Sequence, residues 1–422
     1  MLSIFDLATL LLTLSAAFGW LNLRWLRLPH TIGLLMMGLG SSLVLLVLQG
    51  LMPGLQITSN LEQAIGQIDF YDTIMNGMLA FLLFAGSLHV DFEKLKDQMR
   101  SIAFMATAGV VISTAVIGLS LWWVSGLLGL EIPLHWAFVF GALISPTDPV
   151  AVLSLLKTVN VPESLKIRIA GESLFNDGVA VVAFSVLVAV AATRGSPEPA
   201  ELTLLHVTEL FIHEGGGGVI FGFVMGIAAV SAMRSIDDHV VEVLISIATC
   251  ALTYALSLRL HISGPIAVVV AGLLIGNRGA RTAMSEKVRE YMFGFWEVLD
   301  EVLNSILFLL IGLEVLVLNF DLSRTPLVIA AIPLVLIGRF VSVASPLLLA
   351  SVRKSFAPGV VPVMTWGGLR GGVSVALALS LPDSDYKTVL LSATYAVVIF
   401  TIVVQGLTVR WVIDRTIDPK LV

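Results

Sequence analysis

The sequence predicts an all-α polytopic membrane protein with thirteen transmembrane helices, built as an inverted repeat of six helices in which two discontinuous helices cross at the midplane. Three observations carry this expectation. Of the 422 residues, 57% are hydrophobic and only 13% are charged, which is too little charge to cover a soluble domain of that length. Thirteen apolar runs approach or exceed the roughly 20 residues that a helix needs to cross a bilayer. The basic residues are also sorted between alternate connections: eighteen of the 24 Lys and Arg fall on one side and four on the other, with Arg339 and Arg370 inside spans. Basic loops stay cytoplasmic, so the N-terminus is expected outside and the C-terminus inside, in a cell (inner or plasma) membrane.

The spans are read in order at about 4–23, 31–52, 70–90, 102–125, 135–156, 167–192, 213–233, 240–258, 263–277, 292–318, 326–350, 361–381 and 387–409. The first begins without the basic start of a cleavable signal, so it is taken as part of the bundle. The third ends at His89 and Asp91, read as a solvated cap. The eighth opens on Glu242 and carries the single Cys250, which excludes an internal disulfide framework and a thiolate metal site. The ninth is short. The tenth holds Asp300, Glu301 and Asn304, which either line a funnel or pack against neighbouring helices, while Glu242 and Glu314 are expected to reach an interface. After residue 412 only a short tail, 413–422, remains. A net charge of -6 without a basic stripe gives no reason to expect nucleic acid.

Two spans are interrupted. In "ISPTDPVAV", residues 144–152, Pro149 cannot donate to the carbonyl of Ser145, nor Pro146 to that of Ala142, so the fifth helix unwinds around Asp148. Irregular backbone at that depth is tolerated only where protein or a water-filled cavity satisfies it. In "TWGGLRGGVSV", residues 365–375, four glycines permit a break or a close-packed seam, and Arg370 lies deep in the twelfth span. The fifth and twelfth spans are seven apart and cross in opposite directions, as expected for inverted repeats with a binding site at the midplane.

The sixth span contains "GESLFNDGVA", residues 171–180. Glu172, Ser173, Asn176 and Asp177 share one helix face, and Asp177 falls near the bilayer centre, where ionisable groups are costly and commonly mark ion pathways. A buried structural ion pair is the alternative, and a fair one for Glu172. The mid-depth charges are Asp148, Glu172 and Asp177 against Arg339 and Arg370. If each arginine neutralises one acid, a single carboxylate is left. Such a group holds one proton or one monovalent cation but not both, which is the logic of a one-for-one exchanger.

Taken together, "SPTDPVAV", "GESLFNDGVA", "LIGRF" and "GGLRGG" resemble the monovalent cation:proton antiporter superfamily, and more narrowly its electroneutral Asn-Asp type Na+/H+ exchangers of prokaryotic, NhaP-like kind. The resemblance covers essentially the whole chain. It implies that Asp177 alternately holds cation and proton, that Asn176 steadies the site, and that Thr147, Asp148 and Ser173 complete the shell of the transported monovalent cation. It pairs Glu172 with Arg339 as a structural bridge. It implies a homodimer in which about 1–97 and 235–318 form the scaffold, and a moving core of about 98–193 and 324–412. No cofactor and no enzymatic activity are implied; the partners are monovalent cations, protons and the lipid bilayer. Many such exchangers carry an acid in the third helix, where "LLFAGSLHVD" has Ala85, so K+ or Li+ stays open beside Na+. A cation channel is a rival that large single-channel currents would reveal. An intramembrane protease with Asp148 and Asp177 as a dyad is another, disfavoured by the lack of a second Gly-Asp motif.

Overall fold

The computed structural model describes residues 4–51, 71–148, 152–153, 156, 159, 161–193, 204–316, 322–348 and 359–417. Among the described residues every regular element is helical, and the helices follow in the order that the apolar runs predict. They are α1 (Ile4–Leu21), α2 (His30–Leu51), α3 (Leu79–Leu88, entered through π-helical Asp72–Met78), α4 (Phe92–Leu127), α5 (Leu134–Ile144), α6 (Glu163–Thr193) and α7 (Leu204–Met233). The second half gives α8 (His239–Arg259), α9 (Gly264–Leu274), α10 (Glu286–Glu314), α11 (Thr325–Ala344), α12a (Val360–Trp366), α12b (Gly372–Leu379) and α13 (Lys387–Thr416).

Eight of these helices are long and apolar enough to cross a membrane, among the described residues: α1, α2, α4, α6, α7, α8, α11 and α13. The exceptions have local causes. Helix α5 stops at Ile144 ahead of two prolines, the apolar run of α9 ends on Asn277 and Arg278, α12 is split at its glycines, and α10 carries Glu297, Asp300 and Glu301. Backbone breaks and charges of this kind are affordable only away from lipid. Part of the expected second half of the fifth span, residues 149–151 and 154–155, lies outside the described residues.

Local signals set the helix starts. The Asp91 carboxylate accepts from the Glu93 amide at the head of α4, and Asp238 accepts from Val240 and Val241 at the head of α8, so first-turn donors are answered. Asp91 therefore opens the fourth helix rather than closing the third. Helix α4 begins ten residues before the predicted span because residues 92–104 are amphipathic and bury only one face, including Leu95 and Ile102. The end of the chain also differs from expectation. Helix α13 continues to Thr416, because Val409 and Ile413 lie buried one turn apart, so residues 413–416 are not part of a tail. Gly359 makes room for that end: it adopts φ +89°, and a Cβ there would collide with the Thr416 carbonyl.

Elsewhere small residues bring helices together. A Cβ on Gly312 of α10 would stand 2.8 Å from the Leu35 carbonyl of α2, closer than the packing allows. Glu242 and Glu314, in the first turn and at the last residue of their helices, are both buried, at 0% and 7% exposure. Helix α8 packs on α10, and Glu314 ends the buried C-terminal half of α10.

Candidate functional site

The two broken helices meet. The Asp148 amide donates to the Leu369 carbonyl at 2.9 Å, joining the unwound stretch after α5 to the glycine stretch between α12a and α12b. Arg370 completes the crossing: its Nη1 donates to the carbonyls of Ser145 at 2.5 Å and Pro146 at 2.9 Å. Pro149 has no amide hydrogen to offer the Ser145 carbonyl, and the guanidinium supplies a donor there. The Arg370 amide donates in turn to Thr401 Oγ1 at 3.1 Å. Charge counting alone had assigned Arg370 an acid. Instead it holds backbone carbonyls, and the charges of Glu172 and Asp177 act on it through space. The proline break was a signal for this that counting charges does not use.

The polar face of α6 packs against the unwound stretch. Asn176 Nδ2 donates to Thr147 Oγ1 at 2.7 Å, and the hydroxyls of Thr147 and Ser173 share a hydrogen bond of 2.9 Å. The Thr147 amide points back at Asn176 Oδ1 at 3.5 Å. Asn176 thus ties α6 to the break. Asp177, one residue on, is 7% exposed and makes no hydrogen bond or ion pair among the described residues. It lines a cavity of about 370 Å³ together with Pro146, Thr147, Asp148 and Ser173.

The same cavity is also lined by His30, His89, Glu297, Asp300, Glu301 and Asn304. The polar patch of α10 therefore lines a funnel rather than a helix seam, and Asn304 is held by Asp300 through its carbonyl at 2.9 Å. His89 both ends α3 and faces this space, so it is more than a solvated cap. Ala85 lies in the same wall, so the acid expected in the third helix is missing at the cavity itself.

Glu172 and Arg339 form a two-pronged pair, one prong at 2.9 Å, with the side chains 2% and 7% exposed. Arg339 also donates to the Met364 carbonyl from Nε at 3.2 Å and from Nη2 at 3.1 Å. The pair therefore joins α6, α11 and α12a, and every acceptor it buries is answered. The glycines of "GGLRGG" seat these charges. A Cβ on Gly368 would sit 2.5 Å from Arg339 Nε, and one on Gly371 would collide with the Asp148 carboxylate. Sequence reading took them only as permitting a break or a seam; their neighbours are set by contacts more than 200 residues away for Asp148 and by a second helix for Arg339.

Asp148, Asp177, Thr147 and Ser173 thus line one cavity, Asn176 supports it through Thr147, and Glu172 is bound to Arg339. The profile of the family described as "Sodium/hydrogen exchanger, transmembrane" matches residues 11–415. The Na(+)/H(+) antiporter NhaP of Pseudomonas aeruginosa is 41% identical over 415 residues, covering 97% of this chain and 96% of the relative. The Na(+)/H(+) antiporter NhaH of Halobacillus aidingensis is 35% identical, covering 88% and 91%. Among solved structures, the sodium proton antiporter MjNhaP1 of Methanocaldococcus jannaschii at pH 8 superposes with a TM-score of 0.72 over 96% of this chain and 97% of that one, at 18% identity, a likeness of fold. This chain belongs to the transmembrane sodium/hydrogen exchanger family.

Proposed function

We propose that this protein exchanges a monovalent cation, Na+ first, for a proton across a cell membrane, with Asp177 as the group for which they compete. One observation carries the reading. Glu172 is engaged by Arg339 and Arg370 by carbonyls, whereas the Asp177 carboxylate faces the cavity with no hydrogen bond or ion pair among the described residues. A carboxylate in that position binds a desolvated cation or takes up a proton, and occupancy by one excludes the other.

The neighbours would do the rest. Thr147 and Ser173 bring hydroxyl oxygens, the break brings carbonyls, and Asn176 holds the break against α6 while adding no charge. Asp148 lies against Gly371 at the first turn of α12b. With Asp177 as the single carboxylate that passes between proton and cation, exchange is one cation for one proton. Hard cations favour such oxygen shells. Ala85 is the observation that favours K+ as the alternative cargo, since it takes an acid out of the cavity wall.

The division into a scaffold of about 1–97 and 235–318 and a core of about 98–193 and 324–412 is part of this proposal. It is supported by extensive packing inside each set, α2 on α10 and α3 on α9 in one, α4 on α5 and α11 in the other, while α7, in neither set, packs on α9. Alternating access then moves the core past a homodimeric scaffold, with the N-terminus outside and the C-terminus in the cytoplasm.

Exchange in proteoliposomes under a fixed pH gradient, with Na+, Li+ and K+ compared and read by a pH dye, tests the reading. Na+-driven exchange is expected to proceed at a rate independent of clamped membrane potential. A voltage-dependent rate shows that a second charge moves, with Asp148 the first suspect; conduction without coupling to protons overturns exchange altogether. Gly371→Ala is expected to reduce exchange at least about tenfold, because the new methyl displaces a site carboxylate by an overpacking cost of about 1–3 kcal/mol. Wild-type rates in a folded Gly371→Ala protein would show that Asp148 need not sit against α12b.

A further inference from the structure

We propose that Ser374 is a further ligand of the transported cation, supplying from the second half of the fold an oxygen that the first half lacks at Ala85. This rests on the exchange reading above.

Ser374 lines the same cavity as Asp148 and Asp177 and is 1% exposed. Its hydroxyl is buried without a hydrogen-bond partner among the described residues. That is unusual for a helical serine in apolar surroundings, which ordinarily bonds back to the carbonyl three or four residues earlier. Neighbouring helical hydroxyls in this molecule do so: Ser380 bonds to the Leu377 carbonyl at 2.8 Å and Thr394 to that of Leu390 at 2.7 Å. Ser374 cannot satisfy itself that way. It is the third residue of α12b, so the carbonyl four residues back belongs to Arg370, in the non-helical stretch. The break that seats Asp148 against Gly371 thereby leaves a hydroxyl uncommitted three residues further on.

The position suits a ligand. Helix α12b packs against α5, α6 and the π-helical lead-in of α3. Its wall of the cavity, Gly371 to Ser374, is therefore distinct from the α6 wall that carries Ser173 and Asp177. The hydroxyls of Thr147 and Ser173 are already bonded to each other, and Thr147 also accepts from Asn176. Thr31 is the other cavity hydroxyl without a partner among the described residues, but it follows His30, which is bonded to Ser305 of α10 at 2.8 Å. A small monovalent cation gathers oxygens from several sides, and a buried hydroxyl lacking any partner is repaid when a cation takes its oxygen lone pair.

The experiment uses the full-length protein with Ser374→Ala and with Ser374→Cys, which keeps the side-chain shape but offers a hard cation no oxygen. Apparent KM for Na+ and Li+ in proteoliposomes is expected to rise about tenfold in both, with maximal rate largely kept, as for loss of one polar partner of an ion. Thermal unfolding without Na+ is expected to be unchanged or to occur at higher temperature in Ser374→Ala, because an unsatisfied buried hydroxyl has been removed. The two readouts thus move in opposite directions, which a structural serine cannot produce. Unchanged KM values, or a loss of transport matched by a loss of thermal stability, overturn the assignment. If the wild type shows no cation/proton exchange, the underlying reading fails rather than this one.

Discussion

Asp177→Asn abolishes cation/proton exchange while the protein still folds and inserts. The amide has nearly the volume of the carboxyl, and the native side chain makes no hydrogen bond or ion pair among the described residues, so little packing is lost. What is lost is titration: an amide neither takes up a proton at physiological pH nor offers a full negative charge to a cation. The hydrogen bonds of Asn176, Thr147 and Ser173 do not involve Asp177 and survive the change. Na+-dependent proton movement retained in reconstituted Asp177→Asn protein would remove Asp177 as the carrier.

Glu172→Gln and Arg339→Ala act on stability instead. Each leaves a buried charge without its partner, at a typical cost of about 3–5 kcal/mol. The loss should be larger for Arg339→Ala, which also strands the Met364 carbonyl and vacates the space against Gly368. Combining Glu172→Gln with Arg339→Gln should recover part of the loss, since neither charge then remains buried. Detergent-solubilised yield and thermal unfolding measure this, and cation preference in the surviving protein should be unchanged. Single variants as stable as the wild type would mean that the pair does not hold α6, α11 and α12a together.

The course of the chain was legible because hydrophobic length and basic loops are one-dimensional signals. Each apolar run became a helix in order, and both breaks fall where Pro146 and the glycines after Trp366 interrupt a run. Glu172, Ser173, Asn176 and Asp177 were placed on one face by helical periodicity alone, and they line or support one site. Pairing was not legible in that way. Glu172 and Arg339 are 167 residues apart, and only the family resemblance joined them. Arg370 was given an acid by charge counting, yet it bonds to the carbonyls of Ser145 and Pro146, because backbone dipoles stranded by proline compete with carboxylates for a guanidinium. Helix ends failed for a related reason. The starts of α4 and the end of α13 are amphipathic, and a hydrophobic average stops short of residues that bury only one face. The uncommitted hydroxyl of Ser374 follows from where α12b begins, which composition does not reveal.

The central claim is that one carboxylate holds either a cation or a proton. It is tested most directly by the protons released when Na+ binds to purified protein, measured by calorimetry in buffers of different ionisation enthalpy. Below the pKa of the site, each Na+ bound is expected to release one proton, and apparent Na+ affinity should fall about tenfold per pH unit, as proton linkage requires. In Asp177→Asn the release should vanish. Na+ binding without proton release, or release that persists in Asp177→Asn, would contradict the claim.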